Sequence, residues 1–298
     1  MIFCTGSSGL VASQFKQDCI NQGLDFIGLD LHGENQSVDI LDKDNVFQAI
    51  EGKLREGIKP VLFHFAAITF TGKNLSSEQE SLSWRLNVQG TKNILEVGKK
   101  LDIPVVHIST DYVFAGGTKE DPYLETDAIL PDDTVYSQTK AAAEEAVLEV
   151  AKNQQVVIMR IAFPYGNLIH PKMGLLRKML SWMDKNQTVN LYADQKICPT
   201  SIDFISQTCM KISQLLETKL LSSGQILHVV GPATTPYAFG AAAAQIFEKN
   251  CNITATSIED NGAKNLSLSS QETEKILTMT HPSHDEEILR LKSVGLTY

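Results

Sequence analysis

Tyr136 and Lys140 stand one helical turn apart in VYSQTKAAAEEAV, and Thr110 lies 26 residues upstream of the tyrosine in HISTDYVF. These types at these spacings suit a hydride-transfer site. A phenol ionises at about 10 in water and is a weak acid-base group at neutral pH, and a nearby ammonium lowers that value by favouring the phenolate. Lysine at i+4 supplies the charge, because positions i and i+4 share one helix face. The pair is thus aimed into one cleft, where the Thr110 hydroxyl can hold a substrate oxygen beside the phenol.

The opening segment MIFCTGSSGLVASQF supplies the other half of such chemistry. It reads as a short apolar strand, Met1 to Cys4, followed by Gly6-x-x-Gly9-x-x-Ala12 running into a helix. Such a turn brings backbone N–H groups and a helix N-terminus to a pyrophosphate. Gly6 permits the tight turn, Gly9 the close approach and Ala12 the helix-to-strand packing. A second strand, DFIGLD, ends in Asp30, 24 residues after Gly6. A carboxylate there accepts from both adenosine ribose hydroxyls and repels a 2′-phosphate, so NAD is expected before NADP, with NADP as the alternative. Asp39, in SVDILD, can meet the adenine or lie in a solvated loop.

The set TGSSGLVA, VDI, HFAA, NVQGTKNIL, STDYVF, YSQTK and RIAFPYG resembles the extended short-chain dehydrogenase/reductases, in order and over nearly the whole chain. Within them, LDLHG, STDYVFAG, ETD, DQKICPT and NLSLSSQETEKIL are similar to the dTDP-4-dehydrorhamnose reductases. The resemblance implies that Thr110, Tyr136 and Lys140 are catalytic. It also implies cofactor contacts from Gly6, Ser8, Gly9, Leu10, Asp30, Asp39, Ile40, Ala66, Ala67, Tyr136, Lys140 and Phe163, and sugar contacts from Asp111, Tyr112 and Tyr165. Arg177, with Lys178 beside it, is expected to meet the diphosphate or to lie on a solvated helix face. The implied reaction is NAD(P)-dependent reduction of a nucleotide-linked 4-keto-6-deoxysugar, with Lys140 also donating to the nicotinamide ribose.

Two segments depart from the reductase pattern: HFAAIT is of the epimerase style, and RIAFPYG lacks the family's tryptophan. A nucleotide-sugar 4-epimerase uses the same Thr, Tyr and Lys and stays open. So does a non-catalytic cofactor-binding subunit, like the beta subunit of methionine adenosyltransferase. A 4,6-dehydratase needs an Asp-Glu pair after the threonine, and Tyr112 follows Asp111 here.

Positioning these groups requires alternating strands and helices. Apolar runs at Met1 to Cys4, Phe26 to Leu29, Val61 to Phe65, Val105 to Ile108 and Val156 to Ile161 alternate with helical patterns such as Leu82 to Leu101 and Ala141 to Ala151. Such alternation gives a Rossmann-like, doubly wound parallel α/β sheet. Residues 1–162 are expected to form the cofactor domain, with segments around 201–250 packing back on it. Residues 163–298, broken by prolines, mainly form a smaller substrate-binding lobe. GQILHVVG reads as a further strand, YAFGAAAAQIF as a helix on the first domain, and Asn261 to Ser270 as a mobile loop. His64, at an apolar strand end, is expected to be a hydrogen-bonded structural residue.

The chain has 298 residues, 43% of them hydrophobic, enough for a sizeable core. A net charge of -9 argues against nucleic-acid and anionic-membrane partners, which need clustered basic residues. The five scattered cysteines contain no Cys-x-x-Cys pair and read as reduced thiols, and neither they nor the seven histidines suggest a metal site. With no charged and apolar leader and no apolar run of about 18 residues, a cytoplasmic protein is expected, with a homodimer left open.

Overall fold

The computed structural model describes residues 1–31, 37–168, 170–258 and 262–298. Its first half alternates β1 (Ile2–Thr5), α1 (Ala12–Asn21), β2 (Phe26–Leu29), α2 (Lys43–Glu51), β3 (Val61–His64), α3 (Ser77–Trp84), α4 (Thr91–Lys100), β4 (Val105–Thr110), α5 (Val135–Val150) and β5 (Val156–Ile161). A π-helical segment, Arg85–Gly90, joins α3 to α4 without a break, and a 3-10 turn, Asp111–Phe114, follows β4. The second half holds β6 (Pro164–Tyr165), α6 (Leu175–Lys185), β7 (Thr188–Tyr192), β8 (Thr200–Ser201), α7 (Ile202–Glu217), β9 (Gln225–His228), α8 (Pro236–Ile246), β10 (Asn252–Thr256), α9 (Gln271–Leu277) and α10 (His284–Ser293).

Six strands form one parallel sheet in the order β2-β1-β3-β4-β5-β9. β1 and β3 to β5 are buried, or nearly so, along their length, as a sheet covered on both faces requires. One face carries α1 and α7, whose Phe15, Cys19, Ile205 and Cys209 pack with Phe63 and Met159. The other carries α2, α4 and α5, with Val46, Ile94 and Val147 against Leu62 and Ile158. The chain leaves β1 towards β2 on one side and reaches β3 on the other, so a crevice opens past the carboxyl ends of these strands. Just ahead of the VDI segment Ser37 forms a parallel bridge with Asp30 at the end of β2, and Val38 N donates to Asp30 O at 2.9 Å.

A third cluster, Tyr165, Leu176, Met179, Leu180, Phe239 and Leu291, forms the core of the second half beside the pair β7-β10. α8 belongs here and not on the first domain: Phe239 and Ala243 face α6, α10 and β7. Its alanine-rich surface suits any close neighbour, and the sequence could not say which. The expected mobile loop is also corrected. Asn261 lies outside the described residues, but Asn265 to Leu268 are buried. Asn265 Nδ2 donates to the carbonyls of Lys119 and Asp121 at 2.9 Å each, and Tyr123 N donates to Ser267 O at 2.9 Å. Polar composition here marks a buried hydrogen-bonding strap. Among the described residues no helix is long and apolar enough to cross a membrane.

Candidate active site

α5 begins six residues earlier than its apolar pattern suggests, because Thr134 caps it, its side chain accepting from Ser137 N. Tyr136 therefore sits in the first turn, close to the end of β4, and Lys140 one turn further in. Both line a cavity of about 490 Å³ together with Thr110, Asp111, Tyr112, Gly6, Gly9, Leu10, Ala67 and Phe163. Three segments far apart in sequence thus meet around one space. Phe163 holds a positive φ of 42°, a strained conformation for an aromatic residue, on the cavity wall.

The tyrosine is not depressed by the lysine as the spacing suggests. Burial holds the Tyr136 phenol well above its ordinary range, against the smaller pull of the Thr110 hydroxyl. The Lys140 ammonium turns to the strand behind it, donating to Ile108 O at 2.7 Å and to His107 Nε2 at 3.1 Å. Burial lowers Lys140 to about 8, with the Glu144 carboxylate pulling the other way. His107, held neutral chiefly by its burial, is a contact that sequence reasoning missed; only its alternate place on β4 could have signalled it. His64 is structural as expected: Nδ1 meets Thr5 Oγ1 at 2.7 Å and Nε2 meets Thr91 Oγ1 at 3.0 Å.

The turn after β1 can take only glycine at its first position. Gly6 has φ +65°, and a Cβ there would stand 2.7 Å from Ala66 N. Ala66 itself is behind the turn, its N–H donating to Thr5 Oγ1 at 3.3 Å, while Ala67 reaches the cavity. No side chain caps α1 at Val11; Ser13 N donates to Gly9 O at 2.9 Å and Gln14 N to Val11 O at 3.1 Å, and the positive end of the helix dipole faces the glycine turn. Asp30 Oδ2 accepts from Ser8 N at 3.0 Å and Ser8 Oγ at 2.7 Å, which fixes the carboxylate beside the turn.

Several expected contacts stand off the cavity wall. Ile40 is core, 5% exposed, and Asp39 Oδ1 accepts from Leu41 N at 2.9 Å within its own turn. Tyr165 is fully buried edge-on to Phe239, with ring centres 5.2 Å apart and burial raising its phenol. Arg177 Nη1 donates to His170 O at 2.5 Å, and the residue does not line the cavity. Besides Lys140, the basic groups on the wall are Lys172 and Lys178, and Thr69 and Thr71 from the segment after β3 line it too. No motif marks Lys172 or the two threonines; the fold alone brings them in. A second cavity, about 560 Å³, lies between α1, α7 and α10, where Arg290 pairs with Asp203 and Glu287. It holds none of the expected catalytic groups.

Residues 1–290 match the family described as RmlD substrate binding domain. A dTDP-4-dehydrorhamnose reductase of Sinorhizobium fredii is 31% identical over 211 residues, covering 70% of this chain and 68% of that protein. Among solved structures, a dTDP-4-dehydrorhamnose reductase from Bacillus anthracis in complex with NADP superposes with a TM-score of 0.81 at 22% identity, covering 98% of each chain. A UDP-glucose 4-epimerase of Thermotoga maritima, with UDP-glucose, gives 0.80 at 16% identity, again over 98% of each. At such identities the two structures bear on the fold alone.

Proposed function

This chain belongs to the RmlD substrate binding domain family, and from that premise we propose that it reduces the C4 carbonyl of a nucleotide-linked 4-keto-6-deoxysugar. The observation that carries this reading is the meeting of Thr110, Tyr136 and Lys140 with the Gly6 turn on one cavity wall. The glycine cradle, which a Cβ would fill, and the uncapped N-terminus of α1 fit a dinucleotide pyrophosphate. Gly6, Ser8, Gly9 and Leu10 would hold it, Asp30 would take the adenosine ribose, and Ala67 and Phe163 would flank the nicotinamide end. When bound, that cofactor supplies the hydride.

The chain's own residues do the rest. Thr110 orients the carbonyl oxygen, and Tyr136 gives its phenolic proton to the alkoxide oxygen as it forms. A phenol kept protonated by burial suits that direction. Lys140 holds positive charge behind the tyrosine. Lys172 and Lys178 on the wall suit the substrate's diphosphate better than Arg177, which does not line the cavity and gives Nη1 to His170 O. Residues 1–162 would carry the cofactor and 163–298 most of the sugar site, with Asp111 and Tyr112 near the sugar.

The family match and the reductase relatives favour this over a 4-epimerase, whose cycle opens with Tyr136 accepting a proton. The complete triad around one cavity argues against a purely regulatory subunit. Asp30 favours NAD, with NADP as the alternative. The finer reading of partners and place is a second copy of the chain, no nucleic acid at a net charge of -9, and the cytoplasm. Incubation with nucleotide-linked keto-sugars and NADH or NADPH should consume reduced cofactor in step with the sugar. Conversion of a fully reduced sugar to its C4 epimer, with no net change in the nicotinamide band, would overturn the reductase reading.

A further inference from the structure

Asp111 opens the 3-10 turn after β4, directly behind the threonine expected to hold the substrate carbonyl. It is 2% exposed and lines the cavity with Thr110 and Tyr136. Its Oδ1 stands 2.8 Å from Thr110 Oγ1, and its buried Oδ2 has no hydrogen-bond partner. Among the described residues no cation pairs with it. The titratable groups that face it are the phenols of Tyr112 on its own turn and Tyr136 on α5, and the Cys198 thiol on the segment before β8. Burial raises all three above their ordinary values, so they are neutral at pH 7. The Lys140 ammonium, on the same wall, is held by Ile108 O and His107.

An ionised carboxylate with one oxygen bare inside a protein is unfavourable, whereas a neutral acid leaves only a carbonyl oxygen unpaired. Protonation also changes what Thr110 can do. Its oxygen carries one hydrogen and two lone pairs. Tyr112 N donates to it at 3.3 Å, taking one lone pair. A neutral Asp111 donates to the second, which leaves the threonine hydrogen free to turn into the cavity. An ionised Asp111 can only accept, and draws that hydrogen to itself.

We propose that Asp111 is a positioning residue whose neutral carboxyl donates to Thr110 Oγ1 and turns the threonine hydrogen onto the substrate carbonyl, and whose ionisation withdraws that hydrogen and disarms the site. The proposal rests on the keto-sugar reductase reading. Burial raises Asp111 to about 7, against the opposing hydrogen bonds from Thr110 and from the backbone N–H groups of Asp111 and Tyr112, so the switch falls near neutrality. The sign follows: the neutral, armed form prevails below that pH, and activity is lost as pH rises through it.

The test is kcat against pH for reduction of a nucleotide-linked keto-sugar by the full chain at saturating NADH, with KM and NADH affinity measured alongside. Wild type should lose activity as pH rises through about 7. Asp111→Asn, whose amide always donates, should lose that limb and decline only where Lys140 titrates, near 8. Its kcat at pH 6 should fall by no more than about tenfold. Asp111→Leu, with no donor, should depress kcat by about tenfold or more at every pH, with NADH affinity little changed. An unchanged limb near 7 in the Asn variant, or an Asn variant as slow as the Leu variant, overturns the proposal while the reductase reading stands. Wild type that turns over no keto-sugar at any pH sinks the reading, and the proposal with it.

Discussion

Tyr136 and Lys140 are paired by spacing yet separated by environment. The phenol is raised by its own burial, and the ammonium serves the backbone of β4 and His107 instead of the phenol. Loss of the phenol should therefore remove the proton donor and little else. Tyr136→Phe should lower kcat by about 10²–10⁴-fold, with the urea midpoint and NADH affinity near wild type. If this variant kept full activity on the true substrate, the proton would have to come from another group. Lys140, buried and bonded at both ends of its reach, is the less clean target, because its removal strips a carbonyl and an imidazole of their partner.

The element that carries both residues is fixed by a contact no motif announced. α5 is locked to β5 and β9 by a fully buried ion pair: Arg160 Nε and Nη2 reach the Glu144 oxygens at 2.9 and 2.7 Å, and Nη1 meets His228 Nε2 at 3.0 Å. The guanidinium also stands 4.9 Å from the centre of the ring of Phe114, the last residue of the turn that Asp111 opens. Removing one member leaves the other charged and unpaired in the core. Arg160→Met should cost about 3–5 kcal/mol of stability, read as a lowered urea midpoint. A variant that unfolds at the wild-type midpoint would mean that Glu144 finds water or another donor.

At the scale of the molecule, the cavity lies between the sheet and the second half, and a strap from that half reaches the glycine turn. Asn167 Nδ2 donates to Leu10 O at 2.8 Å and to Ser13 Oγ at 3.1 Å, and His170 Nε2 meets Ser8 O at 2.9 Å. A dinucleotide in that turn would bind the folded chain alone and so stabilise the whole of it. At a hundredfold excess over its Kd the gain is about 2.7 kcal/mol, which in a chain of this size raises Tm by about 5 °C. NADH should give the larger rise at equal concentration, and Asp30→Ala should narrow its lead over NADPH. A Tm that moves with neither dinucleotide would sink the cofactor reading. His32, beside this carboxylate in sequence, lies outside the described residues.

The strands, the glycine turn and the Tyr-Lys pair were legible because each depends on neighbours within a few residues. Apolar runs of four to six, Gly6 before a helix and an i+4 spacing carry their geometry locally, and the order of motifs carried the family. What lay beyond the sequence depends on distance through space. Burial set the protonation of Tyr136, Lys140 and Asp111, and burial is a property of everything packed around a residue. Which basic side chain meets the cavity, Lys172 and Lys178 and not Arg177, is decided by the angle at which α6 and the segment before it approach. The packing of α8 and the buried strap at Asn265 were hidden for the same reason: alanines and polar residues gain their meaning only from the surfaces that the tertiary fold sets against them.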